Sequence, residues 1–117
     1  MNVKITIENK TKHSVLKETA IENAILEVLE KKGFDINAEI GLKIVDKAEI
    51  KKLNAKFRQK DAPTDVLSFP IFNKPPKKSE EPVLLGDIVI CPEMMDNNFL
   101  ELIQHSTLHL LGFHHKE

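Results

Sequence analysis

A chain of 117 residues, 30% charged and 41% hydrophobic, has the size and balance of one globular domain with a real core. Its formal net charge of −1 excludes a polycation drawn wholesale to nucleic acid, so any anion-binding surface has to be local. A single cysteine, Cys91, excludes an intramolecular disulfide framework, and no apolar run approaches the ~20 residues of a membrane span. The opening stretch "MNVKITIENK" lacks a secretion signal's apolar core, so the expectation is a cytoplasmic, monomeric domain over residues 1–117.

In chain order, Val3, Ile5 and Ile7 alternate with polar residues and predict a half-buried first strand. From Ser14 to Lys32 the apolar residues Val15, Leu16, Ala20, Ile21, Ala24, Ile25, Val28 and Leu29 fall at helical spacing. Ser14 is the expected N-cap and Gly33 the expected stop. "EIGLKIV" (39–45) predicts a second strand. Asp46 then caps a short helix whose inward stripe is Ile50, Leu53 and Phe57, ended by Pro63. "DVLSFPIF" (65–72) predicts a third strand, placed at a sheet edge or cut short by Pro70. "NKPPKKSEEP" (73–82) is a loop, "VLLGDIVIC" (83–91) a fourth strand, and a last helix runs over about 93–111 until Gly112. That helix is apolar around most of its girth, which predicts a buried position. The order β-α-β-α-β-β-α implies an α/β (α+β) domain with a four-stranded mixed sheet packed by helices.

Four of the five histidines lie in "HSTLHLLGFHH" (105–115). Residues four apart share a helix face, so His105 and His109 point the same way and can grip one ion. Gly112 lets the chain turn back, which brings His115 within reach of that ion. Three imidazoles leave a fourth tetrahedral position open, the arrangement of a catalytic zinc rather than a structural one. His114 is the alternative third ligand. His13, in the turn before the first helix, reads as ordinary surface.

Ser106 stands where a zinc peptidase helix carries its general-base Glu, and the deaminase pattern of H-x-E with P-C-x-x-C is absent. What remains is a metal that activates water or polarises a phosphoryl oxygen. Three imidazoles also suit other divalent transition metals. Between residues 50 and 60 the stretch "IKKLNAKFRQK" holds Lys51, Lys52, Lys56, Arg58 and Lys60 with no acid. The lysines read either as a solvated helix face or, for Lys56 and Lys60, as substrate contacts. Arg58, at the expected helix end, can hold a phosphate bidentately where a lysine cannot.

These stretches together resemble one family. "HSTLHLLGFHH" is similar to the H-G-x-L-H-L-x-G-[YF]-D-H signature of the YbeY family of metal-dependent endoribonucleases. "LNAKFRQKDAPTDVLSFP" (53–70) resembles its block of an arginine followed by T-D-V-L-S-F, and "LGDIVICPE" (85–93) resembles its third block, in the same order. The resemblance implies an α/β domain with zinc on His105, His109 and His115, and with Arg58 in catalysis or RNA binding. It implies single-stranded RNA as substrate, ribosomal RNA maturation and ribosome quality control as setting, and the ribosome or its proteins as partners. Water activated by the metal, or an RNA 2′-hydroxyl, is then expected to attack a phosphodiester. Thr64, Asp65 and Ser68 of the second block read as strand-start and local hydrogen-bonding residues, and no residue stands out as general base.

This chain departs from the pattern at Ser106 (usually Gly), at His114 (usually Asp) and in a shortened link between the fourth strand and the metal helix, which implies a trimmed lid. Two readings of other classes stay open beside the nuclease: a ribosome-associated binding protein stapled by a structural metal, and a metallohydrolase with a non-RNA substrate.

Overall fold

Alternating apolar residues draw the first segment into β1 (Val3–Asn9), and the same pattern forms β2 (Ala38–Ile44). A computed structural model gives the fold for residues 1–14, 16–96 and 98–113. Between these strands runs α1 (Glu18–Lys31), with Ile21, Ala24, Ile25, Val28 and Leu29 on its buried face. It begins four residues later than the apolar spacing predicts. Asn9 accounts for the delay: its side chain bonds the Thr11 amide at 2.9 Å and the His13 carbonyl at 2.8 Å, which commits 9–13 to a turn. Ser14 therefore caps nothing, and the N-cap position falls on Lys17 without a side-chain bond. Val15 lies outside the described residues, and Leu16 is exposed rather than part of the buried stripe.

Asp46 opens α2 (Lys47–Arg58) as the sequence predicts, its carboxylate accepting the Glu49 amide at 2.9 Å. The helix ends before Pro63, at Gln59, which adopts the left-handed conformation with φ 56°. Next come β3 (Val66–Pro70) and β4 (Val83–Ile90), joined by the proline-rich loop. A 3-10 turn (Pro92–Met94) precedes α3 (Phe99–Leu110). The last helix was expected from about residue 93. It starts instead behind Asn98, whose side chain accepts the Glu101 amide at 3.0 Å while Glu101 answers the Asn98 amide group at 3.2 Å.

The sheet order is β1-β2-β4-β3, parallel except for the antiparallel β3 at one edge. Pro70 thus has both predicted properties, an edge position and a strand end. One sheet face packs against α1 and α3 around Leu42, Ile44, Leu85, Ile88 and Ile90. On the other face α2 covers Leu67, Val89 and Cys91 through Ile50. Along β4 the inward residues shift phase, from Val83 and Leu85 to Ile88 and Ile90, because a bulge falls at Gly86. There φ is 139° and a Cβ would sit 2.2 Å from the Phe69 carbonyl oxygen, so only glycine fits.

One side chain of α2 faces opposite to the sequence reading. Phe57 was expected inward with Ile50, yet Ile50 is 0% exposed and Phe57 is 49% exposed. Asn54, one turn after Ile50, takes the inward place and is buried. The helix rotates this way because Asn54 has work there: it donates to the Ala62 carbonyl at 2.8 Å and fixes the loop into β3. The C-terminal helix is buried along one face, through Ile103, Ser106, Thr107 and Leu110, rather than around its girth. Among the described residues no helix is long and apolar enough to cross a membrane.

Candidate active site

The buried face of α3 anchors it to α1, where Gln104 donates to the Ala24 carbonyl at 3.1 Å. This fixes the helix's rotation and turns His105 and His109 toward β3 and the end of α2. The two rings lie 5.3 Å apart between centroids, tilted by 39°, one helical turn apart as their spacing predicts. They line a cavity of about 770 Å³ whose other walls are the end of α2, the loop after it and the start of β3. Arg58 and Lys60 line the same cavity. Four residues singled out in the sequence therefore meet in one place, from segments almost fifty residues apart.

Arg58 is held rather than free to swing. Its Nη2 donates to the Ser68 backbone carbonyl at 2.7 Å, on the edge strand. One arm of the guanidinium is used in this way, and the remaining donors stay available. Among the described residues the ion pairs are Lys43–Glu8 and Lys51–Asp61, so no carboxylate neutralises Arg58. Ser68 is buried, and its backbone carbonyl is the acceptor that holds Arg58. Thr64 contacts its neighbour Asp65, hydroxyl to carboxylate, at 3.4 Å.

Lys56 does not join the cavity. It is exposed on the outer face of α2, its Nζ 5.2 Å from the centre of the Phe57 ring. His114 and His115 lie outside the described residues, and His13 is on the surface as read. Among the described residues no three His, Cys, Asp or Glu side chains cluster tightly enough to hold a metal. What the structure supplies is a pair: two imidazoles side by side on one face, opening on a cavity, a donor set that suits zinc.

Sequence reasoning missed several cavity residues and read Asp65 only as a strand-start, local hydrogen-bonding residue. Asp65, Asp96 and Glu101 bring three carboxylates to its wall, although no general base stood out along the chain. They come from three separate segments with no shared motif, so only the fold could assemble them. Asn54 was legible in principle, as a polar residue at i+4 from a buried isoleucine. Ser106 lines the cavity with its hydroxyl buried and without a hydrogen-bond partner among the described residues. Behind the site, Cys91 is fully buried, and burial pushes its thiol pKa above the ordinary value of 9.0.

Comparison with known proteins fits this geometry. The model of the Endoribonuclease YbeY family matches residues 6–117. A curated relative from Persephonella marina, named Endoribonuclease YbeY, is 37% identical over 107 residues, covering 82% of this chain and 68% of the relative. The solution structure of TM1509 from Thermotoga maritima is 29% identical, with a TM-score of 0.48, and covers 93% of this chain; the chain spans 64% of that protein. With nearly its whole length matched by the family's model, the chain belongs to the YbeY family of endoribonucleases.

Proposed function

We propose that residues 1–117 work as a single zinc-dependent hydrolase domain that cuts single-stranded RNA internally, in ribosomal RNA maturation and ribosome quality control. One observation carries the reading: His105, His109 and Arg58 line a single cavity in a member of an endoribonuclease family. His105, His109 and His115 would hold the zinc, which when bound supplies a Lewis acid beside the scissile phosphate. Arg58, fixed by Ser68, donates its remaining N–H groups to the phosphoryl oxygens and stabilises charge that grows in the transition state. Lys60 on the same wall, and Lys56 farther out, attract the flanking phosphates. Asp65, Asp96 and Glu101 are the candidates to take the proton from the attacking hydroxyl. The setting proposed is the cytoplasm, with the protein acting as a monomer on ribosomal RNA among ribosomal proteins.

The test is cleavage of a labelled single-stranded oligoribonucleotide by the purified protein. A chelator abolishes cutting and stoichiometric zinc restores it, while the same sequence in a duplex is spared. Cleavage indifferent to chelator removes the metal from the proposal, and chelator-sensitive hydrolysis of esters or peptides without RNA cutting replaces the substrate class.

A further inference from the structure

We propose that Phe57 is a base-stacking subsite, which takes the nucleobase next to the cut phosphate and so makes single strands the preferred substrate. This rests on the RNA reading above. A half-exposed phenylalanine is by itself unremarkable on a protein surface. Three observations set this one apart.

First, the ring is held in place. Phe57 meets Phe69 of β3 edge to face, with centroids 5.2 Å apart and planes at 76°. A fixed ring binds a flat partner without losing rotamer entropy. Second, its chain neighbours already belong to the cavity. Arg58 follows Phe57 on α2, Ser68 precedes Phe69 on β3, and these neighbours are joined by the guanidinium-to-carbonyl bond. The aromatic pair and the arginine link are thus successive rungs between the same two elements, at the edge where β3 has no further strand. Third, the surroundings are cationic. Lys56 lies 5.2 Å from the Phe57 ring centre, and Lys60 and Arg58 follow within three residues.

An exposed aromatic among Lys and Arg, beside a site for phosphate, matches the chemistry of single-stranded nucleic acid: a base on the ring and its phosphates on the cations. A paired base has its faces covered by neighbours in the stack and cannot reach the ring. The rival occupant, an apolar side chain of a protein partner, gains nothing from that cationic rim.

The chain contains no Trp and no Tyr, so a Phe57→Trp variant carries one indole, placed at the proposed subsite. Its emission is expected to be quenched by a single-stranded 2′-O-methyl oligonucleotide and not by the duplex of the same sequence. Phe57→Leu keeps an apolar contact with Phe69 but removes the flat face. It is expected to raise KM for single-stranded RNA about tenfold, with a far smaller change in kcat. Unchanged KM in Phe57→Leu, at an unchanged melting temperature, overturns the proposal, as does equal quenching by duplex or quenching by ribosomal proteins alone. Failure of the wild-type protein to cut any RNA would instead sink the nuclease reading, while the quenching experiment still decides whether a base stacks here.

Discussion

Ser106 offers a quantitative test of how the cavity is built. Its side chain is 1% exposed, and its hydroxyl has no hydrogen-bond partner among the described residues. The next residue shows the alternative: Thr107, equally buried, donates back to the Ile103 carbonyl at 2.7 Å. A buried hydroxyl left unsatisfied costs about 1–3 kcal/mol, and Ser is about 0.5 kcal/mol worse than Ala inside a helix. Taking the low end of the first term, Ser106→Ala is expected to stabilise the fold by about 1.5 kcal/mol. Unfolding entropy of roughly 2.1 cal/mol/K per residue over 117 residues gives about 0.25 kcal/mol/K, so Tm rises by about 6 °C. Far-UV circular dichroism melts measure this directly. Ser106→Gly serves as the internal control. It deletes the same hydroxyl but loses about 1 kcal/mol of helix propensity relative to Ala, so its Tm falls about 4 °C below that of Ser106→Ala. If Ser106→Ala melts lower than wild type, the hydroxyl is satisfied in solution and the reasoning fails.

Three further outcomes are expected. His109→Ala should lose stoichiometric zinc on elemental analysis of the freshly purified protein; a variant that keeps the metal removes this imidazole from the ligand set. Arg58→Lys should keep its zinc but lose at least tenfold in kcat/KM, since an ammonium lacks the planar fork that spans the Ser68 carbonyl on one side and holds a phosphate bidentately on the other; unchanged turnover would reduce Arg58 to a surface charge. Burial raises the Cys91 thiol pKa, so below pH 9.0 its contribution to stability is fully present, and it is lost as pH climbs through the folded value. Urea midpoints should therefore fall with alkali more steeply in wild type than in Cys91→Ala, and parallel curves would show that the thiol titrates alike in both states.

Features written in adjacent residues were legible without a structure. The alternation in β1 and β2, the Asp46 cap and the edge position marked by Pro70 are all local, and the fold keeps them. The His105–His109 pair was legible for the same reason, since i,i+4 spacing is a property of one helix. What escaped depends on competition between local options. The Asn9 side chain captures the turn that apolar spacing alone would give to α1. The signature Asn98-x-x-Glu101 is a readable start signal for α3, but the apolar run alone places the start near residue 93, where a 3-10 turn forms instead. Rotation of α2 was decided by whether Asn54 or Phe57 faces the sheet, and both fit a helical stripe from Ile50. The acidic wall was out of reach because Asp65, Asp96 and Glu101 come together only through the sheet order.

That sheet order also explains where the site had to form. In sheets with parallel strands, ligands collect in the crevice beyond the strands' carboxyl ends. Here β2 and β4 both end at this side, at Ile44 and Ile90, and the antiparallel β3 begins there, with Val66 paired to Ile90. The start of an edge strand is thereby laid beside the ends of the central ones, and loops 59–65 and 91–98 meet around it. Arg58, His105 and His109 belong to helices packed on the sheet, whereas Met95, Asp96 and Asn98 of the cavity rim belong to the second loop. Anchor and rim thus come from separate parts of the fold, the helices on one side and a connecting loop on the other. An exposed edge strand is ordinarily a liability for aggregation. At β3 the Arg58 guanidinium caps the outward Ser68 carbonyl, so the contact that fixes Arg58 on the cavity wall also blunts the edge.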